Sequence, residues 1–188
     1  MSSDPDKHSK LESERFWMRT LTSEDVSEKY LAWLADDETL QWLNARYREN
    51  NEANVQAYVE QFDNINSFHL GIFVKNQELH IGNFSISIDP LHDTAHVSVL
   101  VGDRDWWGKG VVLEARSVIL DWLFEERDIY KVWSLPFVRN APAIFNYKRQ
   151  GFVVEGILKG HKKTETGERL DVASVAIFRD FWLNRDKK

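Results

Sequence analysis

Between Val97 and Glu114 the chain runs from a β-type segment through a turn holding Gly108 and Gly110 into an amphipathic helix. The helix repeats Val111, Ala115, Val118, Ile119 and Trp122 at three- and four-residue intervals. No other stretch limits the fold as strongly. Without Cβ atoms at 108 and 110, successive main-chain N–H groups can converge on one concavity at the positive end of the helix, as a phosphate requires. Lys109 offers a cation at the same place. The two glycines suit a plain strand-to-helix turn equally well. Two nucleotide-binding folds are disfavoured: the longer glycine-lysine-serine/threonine run of a P-loop is missing, and no complete G-x-G-x-x-G is present.

Around this run the period switches several times. Residues 1–13 are polar, without apolar periodicity, and are expected to form a flexible tail ahead of a single domain over 14–188. Phe16–Arg19 reads as a first strand. A helix from the Thr22–Asp25 cap carries Val26, Tyr30, Trp33 and Leu34, a short second one starts at Asp36, and a third spans about Asn54–Phe62. Ser67–Val74, His80–Ile88 and Ala95–Val101 then read as consecutive antiparallel strands. After the glycine turn and its helix come a strand over Tyr130–Val138, a helix over Ala141–Arg149 and a closing hairpin of Phe152–Lys162 with Arg169–Arg179. Strands and helices in blocks indicate an α+β layered domain.

Composition narrows the chemistry. There is no cysteine among the 188 residues, which excludes a thiolate nucleophile, an acyl-cysteine and any cysteine-held metal or cluster. The formal charge of −6 gives no general attraction to nucleic acid or an anionic membrane. No stretch approaches the roughly 20 apolar residues of a membrane span, and MSSDPDKHSK lacks a signal peptide's apolar middle, so a cytoplasmic protein is expected. No metal is expected either: His69 with His80 and His92 with His96 lack further ligands.

The run Val97–Glu114, together with Asn140-Ala-Pro-Ala-Ile-Phe-Asn-Tyr147-Lys-Arg-Gln-Gly151-Phe152, resembles the GNAT superfamily of acyl-CoA N-acyltransferases, and the order of elements matches over about residues 15–180. The resemblance implies a central, mostly antiparallel mixed sheet flanked by helices, with acetyl-CoA as co-substrate. It implies pyrophosphate contacts at Trp107, Gly108, Lys109, Gly110, Val111 and Val112 and cofactor-side roles for Asn140 and Tyr147. It also implies a splayed strand at Val99, Leu100 and Val101 whose backbone meets the pantetheine arm, with an oxyanion donor at Val99 or Leu100. Trp107 and Val112 stand where the family often has Gln or Arg and a small residue.

Acyl transfer to an amine needs a neutral amine, oxyanion stabilisation and a proton for the departing thiolate. The Tyr147 phenol, with a reference pKa of about 10, suits the last task. Packing in the core is its other reading. His96 is the first candidate base, directly or through water, and Asp93 a weaker one. Trp33, Trp42, Asn44, Arg46, Tyr47 and Arg48 form an aromatic and cationic group for the acceptor, with Trp33, Arg46 and Tyr47 as its binding residues. The segment Tyr30–Arg46 resembles a subgroup acting on nucleotide-linked amino sugars, so a small amine of that kind is the first expectation. A protein N-terminal α-amine acetyltransferase and a non-enzymatic acyl-CoA-binding module are the alternatives, and a homodimer is compatible with each.

Overall fold

Residues 68–74 are buried at seven consecutive positions, so this central strand needs a sheet covered on both faces. A computed structural model describes residues 10–43, 46, 48–164 and 166–185. In chain order its elements are β1 (Leu11–Glu12), β2 (Phe16–Thr20), α1 (Glu28–Leu34), α2 (Asp37–Leu40), α3 (Glu52–Glu60), β3 (Ser67–Val74), β4 (Leu79–Asp89) and β5 (Thr94–Val101). There follow α4 (Val111–Asp121), β6 (Lys131–Ser134), α5 (Ala141–Arg149), β7 (Val153–Lys163), β8 (Arg169–Phe178) and α6 (Arg179–Leu183). The strands form one sheet in the order β1-β2-β3-β4-β5-β6-β8-β7. Every neighbouring pair is antiparallel except β5 with β6.

Phe68, Leu70, Ile72 and Val74 of β3, Phe84 and Ile86 of β4 and Ala95 and Val97 of β5 share one face, packed against Val111, Ala115, Ile119 and Leu120 of α4 and Tyr147 of α5. Ile119 and Leu120 have no accessible surface, and burial of such side chains is worth about 1.5–3 kcal/mol each. The other face is covered by Tyr30, Trp33 and Leu34 of α1, Leu40 of α2 and Val55 and Val59 of α3, resting on Phe73 and Leu100. The α+β layers and the mixed sheet agree with the sequence reading.

Several boundaries move. Leu11 and Glu12, assigned to the tail, form an edge strand against Met18 and Trp17. The first helix is divided: a 3₁₀ turn at Ser23–Asp25 precedes α1, because Asp25 turns back to the Thr22 amide and Arg19 while the Ser27 hydroxyl caps the Tyr30 amide. The strand expected to reach Val138 stops at Ser134. Pro136 lacks a ladder donor, and beyond it only Phe137 bridges Val172. A π turn over Trp122–Glu126 extends α4, and Arg179, read as the end of a strand, opens α6 instead.

Candidate active site

β5 and β6 pair over only three residues, Thr94–Lys131, Ala95–Val132 and His96–Trp133. Beyond His96, β5 continues against β4 alone to Val101. Strand alternation tells which backbone groups face the gap so opened. Lys131 donates to the Asp93 carbonyl on the β6 side, whereas the Gly102 amide donates to Ile81 on the β4 side. Odd-numbered residues of β5 therefore turn their amides and carbonyls toward β6, and even-numbered ones toward β4. Val99 carries its N–H into the gap. Leu100, the other expected oxyanion donor, does not: its amide faces β4 and its side chain is buried beneath α1–α3. The Val101 carbonyl is taken by the Trp107 indole, whose Nε1 donates to it at 2.7 Å.

The glycine turn follows at the same end of β5. Gly108 and Gly110 have φ of 72° and 75°, the left-handed region in which a Cβ is strained. Neither glycine is dictated by crowding. A Cβ on Gly108 would meet nothing within 4 Å, and one on Gly110 only Arg15 Nη2 at 3.7 Å. Gly110 is the N-cap of α4 and supplies no side-chain cap. The amides of Gly108, Gly110, Val111 and Val112 consequently have no hydrogen-bond partner among the described residues, at the positive end of an 11-residue helix. The expectation is corrected at two positions. The Trp107 amide donates to Arg104 O at 3.0 Å and the Lys109 amide to Trp106 O at 3.4 Å, because a 3₁₀ turn at Arg104–Trp106 leads into the loop. Trp107 braces the turn on β5 through its side chain, and the Lys109 ammonium lies 5.4 Å from the Trp106 ring.

A strap from the N-terminal segment holds this turn, and no local pattern announced it. Glu114, in the first turn of α4, accepts from Ser13 Oγ and from the Arg15 amide and Nε, each at 2.7 Å, while Arg15 Nη2 donates to Lys109 O at 2.9 Å. These contacts outweigh desolvation and hold the Glu114 carboxyl below its ordinary pKa.

Tyr147 is buried on α5, and its hydroxyl donates to Ser134 Oγ at 2.8 Å. Ser134 ends β6 just past the last rung with β5, so the phenol sits at the mouth of the gap. Ser134 was not among the sequence candidates. Asn140 caps α5, its Oδ1 accepting from the Ala143 amide at 3.1 Å, which gives that side chain a structural task. His96 lies on the α1–α3 face at the last rung, its ring centroid 4.6 Å from that of Trp133, and burial lowers its pKa. Tyr147 stands on the opposite face of the sheet, with the β4–β5 residues packed against α4. Asp93 is separated from this point: it lies in the β4–β5 turn at the far end of β5.

His69 and His80 are core histidines. His69 Nε2 and Nδ1 lie 2.9 Å from Tyr30 Oη and 3.0 Å from Ser85 Oγ, and His80 Nε2 lies 2.9 Å from Gly82 O. Burial pushes their pKa values down to about 3 and about 4. No group of three or more potential metal ligands occurs among the described residues.

Of the expected acceptor residues, Trp33 is not free to line a pocket. It is buried, and a Cβ on Gly102 would approach its ring to 2.1 Å, so it packs face-on beneath the end of β5. Arg46 is half-buried and 3.6 Å from Asp37. Arg48 lies over Tyr58 at 4.5 Å, and Trp42 is 5.9 Å from Phe137. Asn44 and Tyr47 lie outside the described residues. Carboxylates dominate α2 and its cap, where Arg104 bridges Asp36 at 2.6 Å and Glu38 at 2.7 Å while the Asp37 side chain remains 92% exposed.

A GNAT acetyltransferase domain model matches residues 15–153. The Bacillus subtilis (strain 168) protein named "Probable N-acetyltransferase YjcK" is 26% identical over 117 residues, which are 61% of this chain and 64% of that protein, less than two thirds of the relative's length. Ribosomal-protein-S5-alanine acetyltransferase from Vibrio fischeri shares the fold with a TM-score of 0.79 at 21% identity, over 92% of this chain and 98% of that one. Spermidine N-acetyltransferase from Vibrio cholerae, solved with CoA and spermine, does so with a TM-score of 0.79 at 19% identity, over 90% and 99%.

Proposed function

The chain belongs to the GNAT acetyltransferase family, and on that premise we propose that it transfers the acetyl group of acetyl-CoA to a primary amine of a small molecule. The observation that carries this reading is the opening of β5 from β6 beside a left-handed glycine turn whose amides at Gly108, Gly110, Val111 and Val112 have no partner among the described residues. These residues fit the co-substrate. The amides of Gly108, Gly110, Val111 and Val112 hold a pyrophosphate, and Arg15 and Lys109 add cations around the turn. When bound, acetyl-CoA supplies an electrophilic acetyl carbon and a thiolate leaving group.

The remaining chemistry is the protein's. The Val99 N–H donates where negative charge develops on the acyl oxygen. Tyr147 Oη gives its proton to the departing sulfur, and Ser134 Oγ holds the phenol in place until it does. Burial keeps His96 neutral near pH 7, so it can accept the amine proton directly or through a water. With no cysteine in the chain, the amine attacks the acetyl carbon directly.

For the acceptor, a nucleotide-linked amino sugar requires Arg46 to exchange Asp37 for a ligand phosphate. The exposed carboxylates of Asp37 and Glu38 favour a second reading, a polyamine-like cation. Calorimetry with CoA followed by thiol-release assays against nucleotide-linked amino sugars, spermidine and peptides with free N-termini separates these readings. Tyr147→Phe is expected to lower kcat by about 100-fold or more while leaving CoA affinity unchanged. CoA binding without turnover on any amine would make the protein a binding module, and full turnover by Tyr147→Phe would remove the acid assigned here.

A further inference from the structure

One rung of the sheet is polar across three strands. His69 of β3 pairs with Ser85 of β4, and Ser85 with Ser98 of β5, so the three side chains stand side by side on the α1–α3 face. Burial lessens along the row: His69 is 2% exposed, whereas Ser85 and Ser98 are half-buried. Ser98 lies two residues past His96, the last β5 residue paired with β6, so the row ends at the opening between those strands.

Two tyrosines reach the row from the helices above it. Tyr30 Oη of α1 lies 2.9 Å from His69 Nε2, and His69 Nδ1 lies 3.0 Å from Ser85 Oγ. Burial keeps the imidazole neutral, so one ring nitrogen donates, the other accepts, and both hydroxyls are oriented by a single ring. Tyr58 Oη of α3 stands 3.4 Å from Ser85 Oγ, beyond the usual length of about 2.7–2.8 Å for such a bond. The Tyr58 ring itself is fixed, with the Arg48 guanidinium carbon 4.5 Å from its centroid and the Phe62 and His69 centroids each at 5.3 Å. A serine hydroxyl has one donor and two acceptor positions. His69 takes one of them, and the long contact with Tyr58 is weak enough for an incoming group to bridge. Packing does not call for such a row, because apolar groups of the same shape in place of a hydrogen-bonded pair are nearly neutral or stabilising.

We propose that Tyr58, Ser85 and Ser98 bind the acceptor, that the acceptor is a primary amine bearing hydroxyl groups, as on a sugar ring, and that His69 and Tyr30 are positioning residues behind them. This inference rests on the acetyltransferase reading and names the substrate class of the same site. The amine enters the opening beside Ser98 and His96. Its neighbouring hydroxyls exchange hydrogen bonds with Ser85 Oγ and Tyr58 Oη, each of which can donate or accept.

Two amines on six-membered rings read the assignment: glucosamine, which carries hydroxyls, and cyclohexylamine, which carries none. A nucleotide-linked amino sugar replaces glucosamine where the free sugar is not turned over. The unsubstituted protein is expected to acetylate the hydroxylated amine with the higher kcat/KM. Tyr58→Phe and Ser85→Ala should each lower that kcat/KM by about 2- to 12-fold relative to cyclohexylamine, mainly through KM, with the Kd for CoA unchanged. His69→Phe, which can no longer orient Ser85, should lower the same ratio, whereas a merely structural row would depress both amines alike. Tyr58→Phe loses one half-buried oxygen and decides the matter if His69→Phe does not fold. A ratio unmoved in Tyr58→Phe and Ser85→Ala, or turnover confined to cyclohexylamine, spermidine or other amines without hydroxyls, overturns the assignment and leaves the acetyltransferase reading standing. CoA binding without turnover on any amine defeats that reading, and the acceptor site falls with it.

Discussion

Alanine in place of Gly110 puts a number on the glycine turn. The residue has φ 75° and ψ 10° and caps α4, so the Gly110→Ala backbone must either keep the left-handed conformation or leave it. Crowding does not enter, because the nearest atom to the added carbon is Arg15 Nη2 at an ordinary 3.7 Å. The strain of an L-residue in this region is about 1–2 kcal/mol. If the backbone holds, the strain lowers the stability of the free protein. For a chain of this length, 1 kcal/mol corresponds to about 2–4 °C in Tm, so the fall is about 2–8 °C with CoA affinity unchanged. If the backbone relaxes, the Val111 and Val112 amides leave the cradle and CoA must restore them. The same free energy then appears as a Kd raised about 5- to 30-fold. The two losses, from denaturant unfolding and from calorimetry on one preparation, should sum to about 1–2 kcal/mol whichever way the loop divides them. Gly108→Ala should behave alike, and Gly156→Ala, where φ is not left-handed and a Cβ meets nothing within 4 Å, serves as a near-neutral control. A Gly110→Ala protein that loses neither stability nor CoA affinity would refute both the conformational argument and the phosphate cradle.

Gly102→Ala tests a different constraint. Its Cβ would lie 2.1 Å from the Trp33 ring, so overpacking should cost about 1–3 kcal/mol in urea unfolding, and Trp33→Phe in the same chain should recover part of it. Stability should also fall on mild acidification. His69 and His80 have folded pKa values of about 3 and about 4, below the ordinary 6.5, so below pH 6.5 the unfolded chain binds more protons than the folded one. The contribution of the neutral rings is complete above pH 6.5 and is lost as pH falls through that value, by up to about 1.4 kcal/mol per pH unit for each ring. Between about pH 6.5 and 5.5, above the carboxylate range, urea midpoints should drop, and they should drop less steeply in His69→Gln; equal slopes would assign the acid sensitivity elsewhere.

Much of the architecture can be read from local patterns. The bounds of α5 agree with its periodicity, and the antiparallel order of β3, β4 and β5 agrees with their alternation and turn residues. Misreadings occur where a distant or absent partner overrides the pattern. Leu11 and Glu12 have no periodicity of their own and become a strand because β2 offers an edge. Tyr130–Val138 is apolar enough for a long strand, yet Pro136 supplies no donor and β6 ends at Ser134. Trp33 has the composition of a binding-site aromatic, but Gly102 draws it into the core.

The site divides along the same line. The chain alone determines that Gly108 and Gly110 free a run of amides at a helix start, that Tyr147 follows on a later helix and that these residues include no cysteine, because backbone conformation and residue chemistry act within a turn or two of the chain. Only the tertiary structure decides that Trp107 and Lys109 spend their amides inside the loop, that Val99 rather than Leu100 faces the gap, and that Ser134 and Arg116 flank the phenol. Strand register sets the direction of an amide, and burial sets the strength of a charge. Both arise from partners distant in sequence, such as Glu114 gripping Ser13 from 101 positions away, so neither is written in any short stretch of residues.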